Sequence, residues 1–178
     1  LARKIRAQSD APLVLFSYCN PVLAGGENFH AQCKAAGIDA ILLVDLPPEE
    51  ATDHLHLCRK NQLDPILLVT PSTSDERLQR IAEQGAGFLY YVCHKGTTGA
   101  RATLPPGLER DFERIRKFSK LPVVAGFGIG DRETAAHVLK HADGFVTGSA
   151  FLSEFEKHSD AEKLRRLAAR PSCLPNAA

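Results

Sequence analysis

"VVAGFGIGDRETAAHVLKHADGFVTGSAF", residues 123–151, holds two apolar runs, each closed by glycine shortly before a helix-forming stretch. Gly126-Phe127-Gly128 ends the first run and Gly148-Ser149 ends the second. Glycine costs backbone entropy in any ordered element, so it is kept where the chain turns sharply or approaches a ligand closely. Two tight turns explain the pattern locally. A shared need for bare backbone at successive strand-to-helix junctions explains both with one cause.

The same alternation runs through the chain. Apolar runs stand at "PLVLFSY" (12–18), "DAILLVDL" (39–46), "DPILLVT" (64–70), "GFLYYVC" (87–93), "LPVVAGF" (121–127) and "DGFVTGS" (143–149). Unbroken apolar character marks strands buried on both faces, as in a parallel sheet. Amphipathic stretches separate them: "GENFHAQCKAAG", "PPEEATDHLHLCRKN", "SDERLQRIAEQG", "PPGLERDFERIRKFS" and "DRETAAHVLKHA". Pro47-Pro48-Glu49-Glu50 places proline and acids in a first helical turn, and Ser74 offers a cap ahead of Asp75 and Glu76. Gly37 and Gly85 fit C-terminal stops.

Six βα units fit an open doubly wound sheet, whereas a closed (β/α)8 barrel needs eight in about 250 residues. The chain has 178 residues, contains no methionine and begins with Leu1. It is therefore expected to lack an N-terminal part, with "LARKIRAQ" the last turns of a helix. That expectation favours an α/β barrel with only its last six βα units present. Residues 1–168 form the single barrel domain lacking its first two units, and 169–178 a disordered tail. Either architecture puts ligands at the carboxyl ends of the strands.

Composition excludes several classes. The formal net charge is +1, with no basic stripe for nucleic acid and no acidic block. No apolar run approaches the roughly eighteen residues of a membrane span, and the first residues lack a signal-peptide core. Five scattered cysteines without C-x-x-C suit a reducing cytoplasm rather than a disulfide framework.

The strand ends supply the candidates: Tyr18, Asn20, Asp45, Thr70, Tyr90, His94, the loop "KGTTGAR" (95–101), the Gly126 turn and Gly148-Ser149. If the last two runs are barrel strands seven and eight, the backbone of Gly128, Gly148 and Ser149 can cradle a phosphate at a helix N-terminus. "HKGTTGAR" has the composition of a mobile lid, or of an ordinary surface loop. "HLHLC" (54–58) puts His54 and Cys58 on one helix face with His56 elsewhere, and no second cluster completes a tetrahedral site, so no metal is expected. Tyr90 and Tyr91 read as one ligand-facing and one packing residue. Asp45 reads as a helix cap ahead of Pro47 in preference to a general base.

"FSYCNP", "LLVDLPPEEA", "TPSTSDERLQRIAEQGAGFLYYV", "GTTGAR", "VVAGFGI" and "ADGFVTGSAF" occur in the order found in the tryptophan synthase alpha chain family, which residues 1 to about 152 resemble. The resemblance implies a (β/α)8 barrel that cleaves indole-3-glycerol phosphate to indole and glyceraldehyde 3-phosphate in tryptophan biosynthesis. It implies a beta-chain partner in an α2β2 heterotetramer, with pyridoxal phosphate in that partner and no cofactor in this chain. On matching positions Gly99, Gly128, Gly148 and Ser149 would hold the phosphate, and Thr98 would sit on the lid. Tyr90, in a supporting role, and Phe127 would line the pocket. Tyr18 and Asn20, with Leu46-Pro47-Pro48, would face the ligand mouth or the partner. The family's catalytic glutamate and aspartate, in a motif like E-x-G-x-P-F-S-D-P, are absent from these residues, so no catalytic residue is assigned. Cys93 and His94 also depart from the commoner serine-containing lid.

Three functions compete: the lyase, a non-catalytic module that binds and activates the beta chain, and another phosphate-ligand barrel such as a sugar-phosphate isomerase. The lid together with "DLPPEE" disfavours the third. The first two differ by the carboxylates that this sequence does not contain.

Overall fold

A computed structural model of the chain describes residues 1–92, 107–126, 129, 131–149 and 152. They fall into two compact units. The first comprises Leu1–Val69, Thr73–Leu89 and Phe118–Leu121; the second comprises Thr70–Ser72, Tyr90–Lys117 and Pro122–Ala178.

In the first unit helix α1 (Ala2–Arg6) leads to strand β1 (Val14–Ser17), and helices α2 (Cys19–Ala24) and α3 (Phe29–Ala35) lead to β2 (Ala40–Leu43). A 3-10 turn (Pro48–Glu50) and α4 (Thr52–Lys60) precede β3 (Asp64–Val69) and α5 (Asp75–Gln84). The strands run parallel in the order β1-β2-β3. Each strand returns to the same end of the sheet through a helix, as parallel pairing requires. All four residues of β2 are buried, as its unbroken apolar run predicts. Ile41 and Leu43, two apart and so on one face, join Val22, Cys33, Cys58 and Leu63 in the core beneath the helices. β1 departs from the expectation of two buried faces: Val14 and Phe16, two apart and so on one face, are exposed.

The local signals explain most boundaries. Ser74 Oγ accepts the Arg77 N–H at 3.3 Å and starts α5. α3 ends at Gly37, whose φ of +86° closes a Schellman motif. Its N–H reaches Lys34 O at 2.9 Å, and the Ile38 N–H reaches Cys33 O at 3.0 Å. Gly85 also ends its helix, but at a φ of −74°. α4 ends in the motif of α3 with Gln62 in the left-handed position, at φ 54°. The Pro48-Glu49-Glu50 stretch forms a separate 3-10 turn instead of the first turn of α4, and Glu49 reaches across to Arg77 at 2.7 and 2.8 Å. α2 carries no sequence signal of its own. Its Pro21 sits in the first turn, where an N–H has no intrahelical partner.

In the second unit α6 (Leu108–Phe118) precedes β5 (Val123–Ala125), and α7 (Arg132–Val138) precedes β6 (Gly144–Phe145). β4 (Leu89–Tyr91) begins at the border of the units. The order is β4-β5-β6, with β5 and β6 parallel. Asp131 caps α7 by accepting the Thr134 N–H at 2.7 Å. Tyr91 packs at a tilt against Phe112 and donates to Asp111 at 2.7 Å, which fixes α6 on β4.

One device occurs in both units. Asp39 accepts the Leu13 N–H at 2.8 Å and returns its own N–H to Leu13 O at 2.9 Å, while Arg6 binds the Asp39 carboxylate and Gly37 O. Asp143 does the same with Val123, at 2.8 and 2.9 Å, and with Arg116, which also binds His141 O. Each clamp joins a helix, the strand after it and the entrance of the next strand.

Candidate functional site

The carboxyl ends of β1 and β2 lie side by side, because Ser17 pairs with Leu43. Tyr18, at the N-cap of α2, is 61% exposed, and Asn20 is exposed on the same helix. Leu46, Pro47 and Pro48 follow β2 and are half-buried. Asp45 ties the two loops together: its Oδ1 accepts the Cys19 N–H at 2.7 Å. It is thus a helix cap, as expected from sequence, but of α2 and not of the helix after Pro47. A carboxylate so engaged satisfies the first orphan N–H of α2.

The second unit brings the two glycine turns together. Thr147 Oγ1, just after β6, donates to Ile129 O, just after β5, at 3.1 Å. The two glycines have different causes. A methyl group at Gly126 would lie 2.0 Å from Tyr90 Cζ and 2.1 Å from its hydroxyl. Gly126 is therefore bare because the Tyr90 ring occupies its side-chain space, and its N–H donates to Tyr91 O at 2.8 Å. A methyl group at Gly148 would meet no atom of the described residues within 4 Å. Packing among the described residues does not demand that glycine. Gly148 and Ser149 are exposed, and the Leu152 N–H donates to Gly148 O at 3.0 Å in the first helical turn after β6. In such a turn the leading N–H groups have no intrahelical acceptor.

Both tyrosines of β4 are buried, so the expected split into a ligand-facing and a packing residue does not show as a difference in exposure. Tyr91 packs in the core, and Tyr90 lies against the Gly126 turn, where burial pushes its phenol pKa up. Thr98, Gly99, Phe127, Gly128, the rest of the "KGTTGAR" loop and Cys93-His94 lie outside the described residues.

Sequence reasoning missed one cluster. His54 and Cys58 share a face of α4 as expected, and α3 supplies a third member, His30. His30 Nε2 lies 2.9 Å from His54 Nδ1, and Cys58 Sγ lies 3.5 Å from His54 Nε2. Burial lowers the pKa of both imidazoles, His54 to about 4, and raises that of the Cys58 thiol to about 12. His30 Nδ1 is buried without a hydrogen-bond partner, a loss of about 1–3 kcal/mol for such a group. No linear motif announces His30, which stands 24 residues before His54.

Parallel strands in chain order, helices between them and the candidate residues at the strand carboxyl ends define a protein of the (β/α) barrel class, with six of its strands here. A family model for the tryptophan synthase alpha chain matches residues 1–177, and the chain belongs to that family. It is 48% identical over 168 residues to the tryptophan synthase alpha chain of Coxiella burnetii (strain CbuK_Q154), covering 94% of this chain and 66% of the relative. It is 48% identical over 172 residues to that of Chlamydia felis, covering 94% of this chain and 67% of the relative. Across such curated relatives the chain spans about two thirds of their length. Among solved structures, the tryptophan synthase α2β2 complex of Pyrococcus furiosus superposes with a TM-score of 0.82 at 36% identity, covering 93% of this chain and 68% of that one. The alpha subunit from Legionella pneumophila str. Paris gives 0.83 at 35% identity, covering 97% and 65%. Among the described residues no helix is long and apolar enough to cross a membrane.

Proposed function

We propose that the chain is the phosphate-gripping and partner-facing part of a lyase that cleaves indole-3-glycerol phosphate to indole and glyceraldehyde 3-phosphate. The observation that carries the reading is the Thr147–Ile129 hydrogen bond, which joins two glycine turns in a chain of this family. Backbone N–H groups of Gly99, Gly128, Gly148 and Ser149, with the Ser149 hydroxyl, hold the phosphate dianion. Backbone donors at a helix start suit an anion without any lysine or arginine. Thr98 belongs to the lid, and Tyr90 and Phe127 form the wall against which the indole packs.

Cleavage protonates indole C3 while a base takes a proton from the glycerol hydroxyl next to the breaking bond, and loss of the indole N–H proton assists. These transfers need carboxyl groups. The family's glutamate and aspartate motif does not occur in the 178 residues, and Asp45 is engaged as a cap. This chain's residues therefore bind and orient, and the acid–base groups come from outside them. No cofactor is assigned to the chain. Pyridoxal phosphate belongs to a beta chain, which receives the indole within an α2β2 assembly. The exposed Tyr18 and Leu23 on α2, beside the Leu46-Pro47-Pro48 turn, favour a second role in docking and activating that partner.

Calorimetry with glycerol 3-phosphate tests the phosphate site. One equivalent should bind, and Ser149→Asp, which puts a carboxylate among the donors, should abolish the heat. Unchanged affinity in that variant rejects the site.

A further inference from the structure

We propose that His30, His54 and Cys58 form a buried site for one soft or borderline first-row cation, Zn(II) or Cu(I), held by two imidazole nitrogens and one thiolate. The proposal starts from α4, where residues four apart project from one face, so His54 and Cys58 point the same way. α3 brings His30 against them, and the three ligand atoms all lie within 4.8 Å of one another. Metal–nitrogen bonds of about 2.0–2.1 Å and metal–sulfur bonds of about 2.3 Å place tetrahedral ligand atoms about 3.3 Å (N to N) and 3.6 Å (N to S) apart. The observed separations are 2.9 Å between His30 Nε2 and His54 Nδ1, and 3.9 Å between His54 Nδ1 and Cys58 Sγ. An ion would spread the first by about 0.4 Å, close the second by about 0.3 Å, and draw His30 Nε2 and Cys58 Sγ, which lie within 4.8 Å of each other, to about 3.6 Å.

The donor set selects the ion. Thiolate and imidazole suit zinc and copper, whereas calcium and magnesium want oxygen. Leu63, 2% exposed, shares a core cluster with Cys58, which is wholly buried. A neutral imidazole is the form that coordinates metal. Without an ion the three groups make a poor packing unit: one N–H is shared between two rings, and His30 Nδ1 has no partner. Apolar side chains of equal volume would pack there without that loss.

The proton balance closes without an oxidant. An ion bound through His30 Nε2 and His54 Nδ1 leaves one proton on His30 Nδ1 and one on His54 Nε2, so each ring stays neutral. The thiol proton passes to solvent as the metal–sulfur bond forms. Occupancy ties α3 to α4.

The test uses the untagged 178-residue chain and a variant in which Cys19, Cys33, Cys93 and Cys173 are serine, leaving Cys58 as its one thiol. Anaerobic titration with Co(II), a spectroscopic stand-in for zinc, should give a thiolate charge-transfer band that saturates at one equivalent. Cys58→Ser should remove the band, and His30→Gln and His54→Gln should each weaken binding at least tenfold. Competition with chromophoric chelators for Zn(II) and for Cu(I) decides which ion binds more tightly, and failure of both to bind overturns the proposal. So does a band that survives both histidine variants, or its absence from a single-thiol chain with a native circular dichroism spectrum. If the single-thiol chain does not fold, NMR of the histidine ring nitrogens in the unaltered chain decides. Shifts of His30 and His54 complete at one equivalent of Zn(II) support the site, and unshifted signals overturn it.

Discussion

The Tyr90 ring fills the space in which any side chain at Gly126 would stand, 2.0 Å from the tyrosine Cζ to the position of a Cβ. The turn after β5 thus keeps its course because a buried aromatic from β4 forbids anything larger than hydrogen there. The Gly126 N–H, bonded to Tyr91 O at 2.8 Å, prevents the turn from backing away.

Gly126→Ala should therefore destabilise the chain by about 1–3 kcal/mol, the usual cost of overpacking. Urea denaturation measures it. In a Tyr90→Leu background the same change should cost less, because the obstructing ring is gone. Equal costs in the two backgrounds would rule out the steric account.

Gln62 holds the left-handed position at the end of α4, with φ 54°, where Gly37 serves at the end of α3. A non-glycine residue pays about 1–2 kcal/mol there. Part of that is offset in any glycine variant by the entropy of the unfolded chain. Gln62→Gly should raise stability by about 0.5–1 kcal/mol. Gly37→Ala should lower it by more, since φ is +86° and Arg6 Cγ lies 2.7 Å from the new methyl. A denaturation midpoint that falls in Gln62→Gly contradicts the reading.

Acid should weaken both clamps. The Leu13 N–H, and then Arg6, hold the Asp39 carboxyl below its ordinary value. Burial pushes the Asp143 carboxyl up, but the Val123 N–H and Arg116 outweigh it and the net shift is downward. A carboxyl whose pKa is depressed by folding adds stability above its unfolded value, about 3.9. That stability disappears as pH falls through the folded value. Unfolding free energy should thus drop as pH is lowered below about 4. Asp39→Asn and Asp143→Asn should each lower stability at neutral pH and flatten the acid limb. A limb of undiminished slope in the double variant would refute the assignment.

The 178-residue chain should release no measurable indole from indole-3-glycerol phosphate, with or without a beta chain. Proton transfer by positioned groups is worth about a hundred- to ten-thousand-fold in rate each. Binding that is equal for substrate and transition state does not replace it. Robust indole release would show that a carboxylate of this chain acts, and Asp45→Asn would be the first variant to assay.

What contiguous residues specify was legible in the sequence. The period of the apolar runs separated strands from helices, Ser74 announced a helix start, and Gly37 a helix end. The glycine turns after β5 and β6 marked the strand ends as the candidate site. Each of these signals is a property of neighbouring residues: side-chain alternation, an orphan N–H, a permitted φ. α2 escaped because six residues, "CNPVLA", are too few to show a period. The sequence could not say why Gly126 is bare, since that depends on where the Tyr90 ring lies. Nor could it give Asp45 to Cys19, 26 residues away, or His30 to His54 and Cys58. Those partners are chosen when parallel strands and helices pack, which juxtaposes side chains from separate βα units. Local propensity carries no record of that choice.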